Sequence, residues 1–197
     1  MASNAERFTE TPTPYFDPYF QRAAVKLLPG QYYVTSGETM IVTTLGSCVA
    51  ACVRDKVSGI GGMNHFMLPA VLRPDQQTAK TFTKYGVFAM QKLLETLTRM
   101  GAKPANLEAK VFGGGHVMEG FASCDVGAQN ARFIEQFMAT NQIPIVSRDL
   151  YQDYARKVYF LPHTGEVQMR RIRRMNNTTI IEREKAHRIS LSRRVVG

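Results

Sequence analysis

The sequence predicts an α+β fold, a layered α/β sandwich of mostly antiparallel strands with two main helices. Short segments bounded by turn residues recur between Ala23 and Leu68, and again between Pro144 and Arg173. Two longer segments, 81–100 and 126–141, carry apolar residues at helical spacing. Many strands with few helices make a layered arrangement around one core.

At 197 residues, with 44% hydrophobic and 21% charged content, the chain is sized for one packed domain with a segment on either side. Residues 1–22, rich in Thr, Pro, Tyr and Phe, read as an extended arm laid against it. The domain is placed at 23–175 and a basic tail at 176–197. Ala23 to Leu28 and Gln31 to Thr35 read as strands separated by the turn dipeptide Pro29-Gly30. Ser36-Gly37-Glu38 is a second turn, and Met40 to Thr44 leads into a central pair of strands.

That pair comprises Val49 to Val53 and Ile60 to Leu68, with Arg54-Asp55-Lys56-Val57-Ser58-Gly59 between them. A hairpin turn centred on Lys56-Val57 sets Cys48 directly across from His65. A one-residue slip would send the two to opposite faces. An imidazolium beside a thiol lowers the thiol pKa and yields the nucleophilic thiolate. Each residue also has an ordinary structural reading, Cys48 as a small buried hydrophobe and His65 as a hydrogen-bonded core residue. Gly46-Ser47 and Gly61-Gly62 clear space beside both, as a site needs. The residues alone leave both readings open.

Beyond Pro69 the chain is polar to Lys80, and then Phe82, Tyr85, Phe88-Ala89, Leu93 and Leu97 or Met100 form the apolar stripe of the first helix, with Gly101 as its cap. Leu107 to Phe112 is a strand running into Gly113-Gly114-Gly115, which matches neither phosphate-loop nor dinucleotide patterns and reads as a flexible wall beside the site. Asp125 is placed to cap the second helix, whose apolar side is Phe133, Ile134, Phe137 and Met138 and which Asn141 and Pro144 close. Strands follow near 144–148, 156–161 and 166–173, the last two joined by Pro162-His163-Thr164-Gly165.

Three cysteines with no CxxC argue against a disulfide framework or a zinc site, and place the chain in a reducing cytoplasm. No apolar run approaches the ~18 residues of a membrane helix. Glu6, Glu10 and Asp17, with no apolar core beside them, argue against a secretory signal. Net charge is +9, of which +7 lies between Arg170 and Gly197, where nine Lys and Arg face only Glu182 and Glu184. Such a segment is either solvated or drawn to an acidic partner. Without interleaved aromatics it does not look like a nucleic-acid surface.

Taken together, Leu45-Gly46-Ser47-Cys48-Val49-Ala50, Gly61 to Pro69, Lys84-Tyr85-Gly86, Lys110 to Gly115, Val126-Gly127 with Asn130, and Arg156 to Phe160 stand in the order and spacing of the CheD family. The chain resembles these chemoreceptor glutamine deamidases from about Val25 to Arg173. The resemblance implies hydrolysis of selected glutamine amides on methyl-accepting chemotaxis receptors to glutamate, and a fold similar to the deamidase toxins. It implies Cys48 as nucleophile, His65 as base and acid, and a threonine shortly before the cysteine as third member. Thr43 and Thr44 both stand there, and Thr43 is taken first. Gly46, Ser47, Asn64, Gly113 and Gly114 are the candidates for substrate or oxyanion contacts. No metal or organic cofactor is expected, and a CheC-type phosphatase is an expected partner. Gln129 departs from the family pattern, which has an arginine there. Two other functions are weighed: a different Cys–His acyl transferase, and a non-catalytic adaptor that binds receptors or CheC.

Overall fold

The structure, a computed structural model, describes residues 12–68, 76–117 and 126–172, together with Glu182, Glu184, Ala186, His187 and Ile189. Among the described residues, ten strands and two α-helices follow the predicted order closely. They are β1 (Pro14–Asp17), β2 (Arg22–Lys26), β3 (Tyr32–Thr35), β4 (Met40–Leu45), β5 (Val49–Asp55), β6 (Gly61–Asn64), α1 (Gln76–Arg99), β7 (Leu107–Gly113), α2 (Val126–Thr140), β8 (Ile145–Leu150), β9 (Ala155–Leu161) and β10 (Glu166–Ile172). One strand lies within the expected arm: β1 pairs antiparallel with β2 at the edge of a sheet. Asp125, expected to cap α2, lies outside the described residues, as does most of the basic tail.

The strands form two five-stranded sheets, β1-β2-β4-β9-β10 and β3-β6-β5-β7-β8. Only the β2–β4 and β7–β8 pairs are parallel among the described strands. Alternation along each strand then builds the layers. From β5, Val49, Ala51 and Val53 face the helices, joining Met90, Leu93 and Leu97 of α1 and Ile134 and Met138 of α2. Cys48, Ala50 and Cys52 face the other way, into an inter-sheet core with Ile41 and Leu45 of β4 and Val158 and Phe160 of β9. The result is a sheet–sheet–helix sandwich, with the cysteine between the sheets.

The α1 stripe is centred slightly differently from its prediction. Met90 is fully buried, whereas Met100 is 40% exposed because it lies beyond the last turn. Gly101 takes φ +106 and the Ala102 N–H bonds the Leu97 carbonyl at 3.0 Å, the reversed turn expected of a cap. Gly86 marks the crossing of the helices, since a Cβ there would lie 2.5 Å from the Phe133 ring. The second helix ends at Thr140 and is closed by Gln142 in the left-handed region (φ 56), the residue after the predicted Asn141.

The central hairpin departs from its predicted register by two residues. Cys52 pairs with Met63, Val53 with Gly62 and Arg54 with Gly61, and an isolated bridge joins Val49 to Phe66. Cys48 and His65 are therefore diagonal neighbours. The reason is the turn. Asp55 Oδ1 accepts the Val57 and Ser58 N–H groups at 2.8 and 3.1 Å, and Gly59 (φ +75) closes a loop centred one residue later than expected. Because the error is even, both side chains keep the same face.

Candidate active site

Three backbone segments meet at the site. Alternation in β4 turns Ile41, Thr43 and Leu45 inward and leaves Thr44 on the other side of the strand. Val49, the first residue of β5, exchanges backbone hydrogen bonds with Phe66 at 2.9 and 3.0 Å, which fixes Cys48 just before the strand. His65 is held by the Pro29-Gly30 turn: its N–H donates to the Gln31 carbonyl at 2.9 Å and its carbonyl accepts the Gly30 N–H at 2.7 Å. Thr43, Cys48 and His65 are all buried.

The Thr43 hydroxyl lies 2.8 Å from His65 Nδ1 and 3.0 Å from the Leu27 carbonyl. A carbonyl can only accept, and a hydroxyl has one proton to give. The proton therefore goes to Leu27, and Nδ1 carries the hydrogen donated to Thr43. That leaves Nε2 as a lone-pair nitrogen, buried and without a hydrogen-bond partner among the described residues. Burial, with His187 adding its charge, brings the imidazole pKa down to about 3, so the ring is neutral with its lone pair at Nε2.

The residues before the cysteine form an N–H cradle, and it holds a carboxylate. Glu184 Oε1 accepts the Gly46 N–H at 2.7 Å and the Cys48 N–H at 3.4 Å. Glu184 Oε2 accepts the Ser47 N–H at 3.0 Å and the Ser47 hydroxyl at 2.7 Å. Gly46 is open enough for this only because it lacks a side chain: a Cβ would come within 2.9 Å of a Glu184 oxygen. Cys48 Sγ, a ring nitrogen of His65 and a Glu184 oxygen all lie within 4.8 Å of one another. Burial, and then the neighbouring carboxylate, push the thiol pKa well up. With Glu184 in place the site therefore holds a thiol and a neutral imidazole.

These three donor types could also hold a divalent cation. Both Glu184 oxygens, however, already accept hydrogen bonds from protein donors.

The other predicted site residues divide. Gly46 and Ser47 belong to the cradle. Gly113 and Gly114 act on its backbone: the Gly114 N–H donates to the Cys48 carbonyl at 2.8 Å, and the neighbouring Gly115 N–H to the Gly46 carbonyl at 2.9 Å. Gly113 has φ +114, and a Cβ there would overlap the Cys48 carbonyl oxygen. The triple glycine is a close-packed brace, not the flexible wall expected of it. Asn64 turns to the helix side, where Oδ1 accepts the Ala51 N–H at 3.0 Å and Nδ2 lies 3.1 Å from Met90 Sδ. It does not join Cys48.

Two residues at the site were not among its candidates: Asn130, seen only within the family motif, and Glu184. Asn130 is fully buried. It donates to the Ser47 carbonyl at 2.9 Å and accepts the Leu68 N–H at 2.7 Å, tying the nucleophile loop to the histidine segment. Glu184 was visible only as one of two acids in a basic stretch.

A sulfur nucleophile, a lone-pair imidazole nitrogen and converging N–H donors are the parts needed for attack on an acyl carbon. The fold is an α+β sandwich, and the buried Cys–His pair with its N–H donors has the composition that cysteine-based acyl chemistry uses. The family model for CheD chemotactic sensory transduction matches residues 67–171. The chain is 48% identical to a probable chemoreceptor glutamine deamidase CheD of Methylobacillus flagellatus, over 88% of this chain and 86% of that one. It is 47% identical to a protein of the same description in Shewanella oneidensis, over 91% and 87% of the two chains. A relative in Dechloromonas aromatica, again so described, is 48% identical over 90% and 88%. The chain belongs to the CheD family.

Proposed function

We propose that the chain hydrolyses the side-chain amides of particular glutamines on methyl-accepting chemotaxis receptors, giving glutamate and ammonia. The observation that carries this reading is the hydrogen-bonded row from Leu27 through Thr43 to His65, which leaves Nε2 with a free lone pair on a ring that has a nitrogen within 4.8 Å of Cys48 Sγ. The relatives' shared description as glutamine deamidases supplies the substrate class.

His65 Nε2 takes the proton of Cys48 as the sulfur attacks the glutamine Cδ. The new oxyanion is received by the Gly46, Ser47 and Cys48 N–H groups. The imidazolium then gives its proton to the amide nitrogen, without which ammonia is a poor leaving group. The C–N bond breaks and a thioester to Cys48 remains. Water, deprotonated by the same nitrogen, attacks the thioester, and the thiol and the glutamate carboxylate are released. Thr43 holds the ring in the tautomer that both proton transfers need.

The receptor's cytoplasmic part is the substrate in this reading, which places the protein in the cytoplasm. No helix among the described residues is long and apolar enough to cross a membrane. A CheC-type phosphatase is the proposed regulatory partner. The reading is tested by incubating the protein with a receptor cytoplasmic fragment and mapping its peptides by mass. A gain of about 1 Da at particular glutamines, absent with Cys48→Ala, is expected from replacing an amide by an acid. Peptide cleavage or cross-linking instead would point to another acyl transfer, and full biological function of Cys48→Ala to an adaptor.

A further inference from the structure

Glu184 carries the functional group that the proposed reaction produces, and it occupies the place where that group would be formed. Its carboxylate accepts hydrogen bonds in the cradle from the Gly46, Ser47 and Cys48 N–H groups and the Ser47 hydroxyl, and the Cys48 thiol also bonds it. An acceptor-only carboxylate matches such a set. A carboxamide matches it less well, because its NH2 would oppose the Ser47 N–H, which cannot reverse its direction. The side chain is only 2% exposed, so the carboxylate fills this space and does not skirt it. Glu184 also joins Lys26, Leu28, Pro29, Thr44 and His65 in lining a small depression at the surface.

We infer that the C-terminal segment is an intramolecular product analogue, in which Glu184 fills the glutamine-binding pocket and competes with receptor glutamines for it. The inference rests on the deamidase reading of the site. Glu184 is itself in helical conformation, as are Glu182, Ala186 and His187. The pocket therefore accepts a long side chain offered from helical backbone, and a glutamine presented in the same backbone conformation can take the same path. The high thiol pKa and the depressed imidazole pKa in this state agree with a resting form.

The sharpest test turns the analogue into a substrate. In Glu184→Gln, Cys48 attacks Cδ of the introduced glutamine, the C–N bond breaks with loss of ammonia, and water hydrolyses the thioester to restore glutamate at that position. The purified variant is expected to gain about 1 Da at the peptide that carries the substitution. The rate should not depend on protein concentration, and the double variant with Cys48→Ala should retain its glutamine. In parallel, Glu184→Ala frees the pocket. If Glu184 fills it nine-tenths of the time, the apparent KM for a receptor fragment falls about tenfold with kcat little changed.

Persistence of the introduced glutamine in a Glu184→Gln variant that still deamidates the receptor fragment would overturn the inference and leave the deamidase reading intact. A loss of receptor deamidation in Glu184→Ala, with the fold intact by circular dichroism, would also overturn it, by making the carboxylate a working part of the site. If neither wild type nor either variant deamidates the fragment or itself, the deamidase reading has failed. Stoichiometric zinc binding to the wild type that is lost in Glu184→Gln would make Glu184 a metal ligand and overturn the analogue.

Discussion

Thr43 Oγ1 stands 2.8 Å from His65 Nδ1 and receives its proton, because the threonine's own hydrogen is committed to the Leu27 carbonyl. Two sheets contribute to this contact: Thr43 comes from β4 of one, and His65 follows β6 of the other. In the proposed mechanism the threonine takes the part that a carboxylate or amide takes in other triads, but without a charge. A neutral partner does not offset the loss of solvation that burial imposes on an imidazolium, consistent with the low pKa of His65.

Replacing Thr43 by Val keeps the shape and removes the acceptor. The ring is then free to place its hydrogen on Nε2, where it cannot accept the thiol proton. A fall in kcat of about 10- to 100-fold is expected, with KM nearly unchanged. Thr43→Ser restores the hydroxyl and should recover most of the rate. Steady-state kinetics on a receptor fragment decide it: equal rates for the Val and Ser variants would remove Thr43 from the mechanism.

His65 also imposes a pH dependence on stability. Its folded pKa, about 3, lies below the ordinary 6.5. The unfolded chain therefore binds the proton first as pH falls. The contribution to stability is complete above pH 6.5 and is lost progressively as pH falls toward 3, by up to about 1.4 kcal/mol per pH unit. Urea unfolding of wild type and His65→Gln at pH 7 and about pH 4.5 separates this from carboxylate effects common to both. The wild type should lose roughly 2–3 kcal/mol more than the variant. Parallel losses would mean that the imidazole is not held neutral.

Much of this site was legible in the sequence because alternation along a strand needs no tertiary knowledge. It kept Cys48 and His65 on one face even though the register was missed by two, whereas Thr43 came from the family resemblance and only the structure separates it from Thr44. The register itself was not legible, since it depends on an Asp55 side chain reaching the Val57 and Ser58 N–H groups and the hydrophobic pattern carries no trace of that. The inward role expected of Asn64 conflicted with the same rule, because residues 64 and 65 of one strand cannot share a face. Glu184 was illegible for a different reason. Its partners are backbone N–H groups 136 to 138 positions away, and backbone groups leave no mark on composition or periodicity.

Asp55 offers a stability test remote from the chemistry. Besides the turn, its Oδ2 accepts the Lys103 N–H at 2.8 Å, joining the hairpin to the entry of β7. Burial acts to raise its carboxyl, but donation from Lys103, Ser58 and Val57 outweighs this and brings it down to about 2. Its stabilisation is therefore complete above about pH 4 and is lost as pH falls toward 2, a lower window than that of His65. Asp55→Ala strands several N–H groups and should cost about 2–4 kcal/mol in urea unfolding at pH 7. The residue is roughly 20 Å along β5 from Cys48, so kcat of the folded variant should stay within about twofold. A large loss of kcat at full folding would show that the hairpin turn governs the site.

Asn130 spans two segments whose relative placement sets the distance between sulfur and imidazole. It gives a proton to the carbonyl of Ser47, next to the nucleophile, and takes one from Leu68, three residues beyond His65. Aspartate at this position keeps the acceptor for Leu68 but turns the other contact into two oxygens facing each other. Leucine removes both contacts. Asn130→Asp should therefore lower kcat by about 10-fold or more, through displacement of the nucleophile loop, while KM changes less. Asn130→Leu should in addition unfold at lower urea, by about 2–3 kcal/mol, because the Leu68 N–H loses its partner inside the fold. A positioning role also predicts altered thiol reactivity: at matched fraction folded, Cys48 of Asn130→Asp should react with iodoacetamide at a rate different from wild type. Unchanged thiol reactivity with unchanged kcat would confine Asn130 to stability alone.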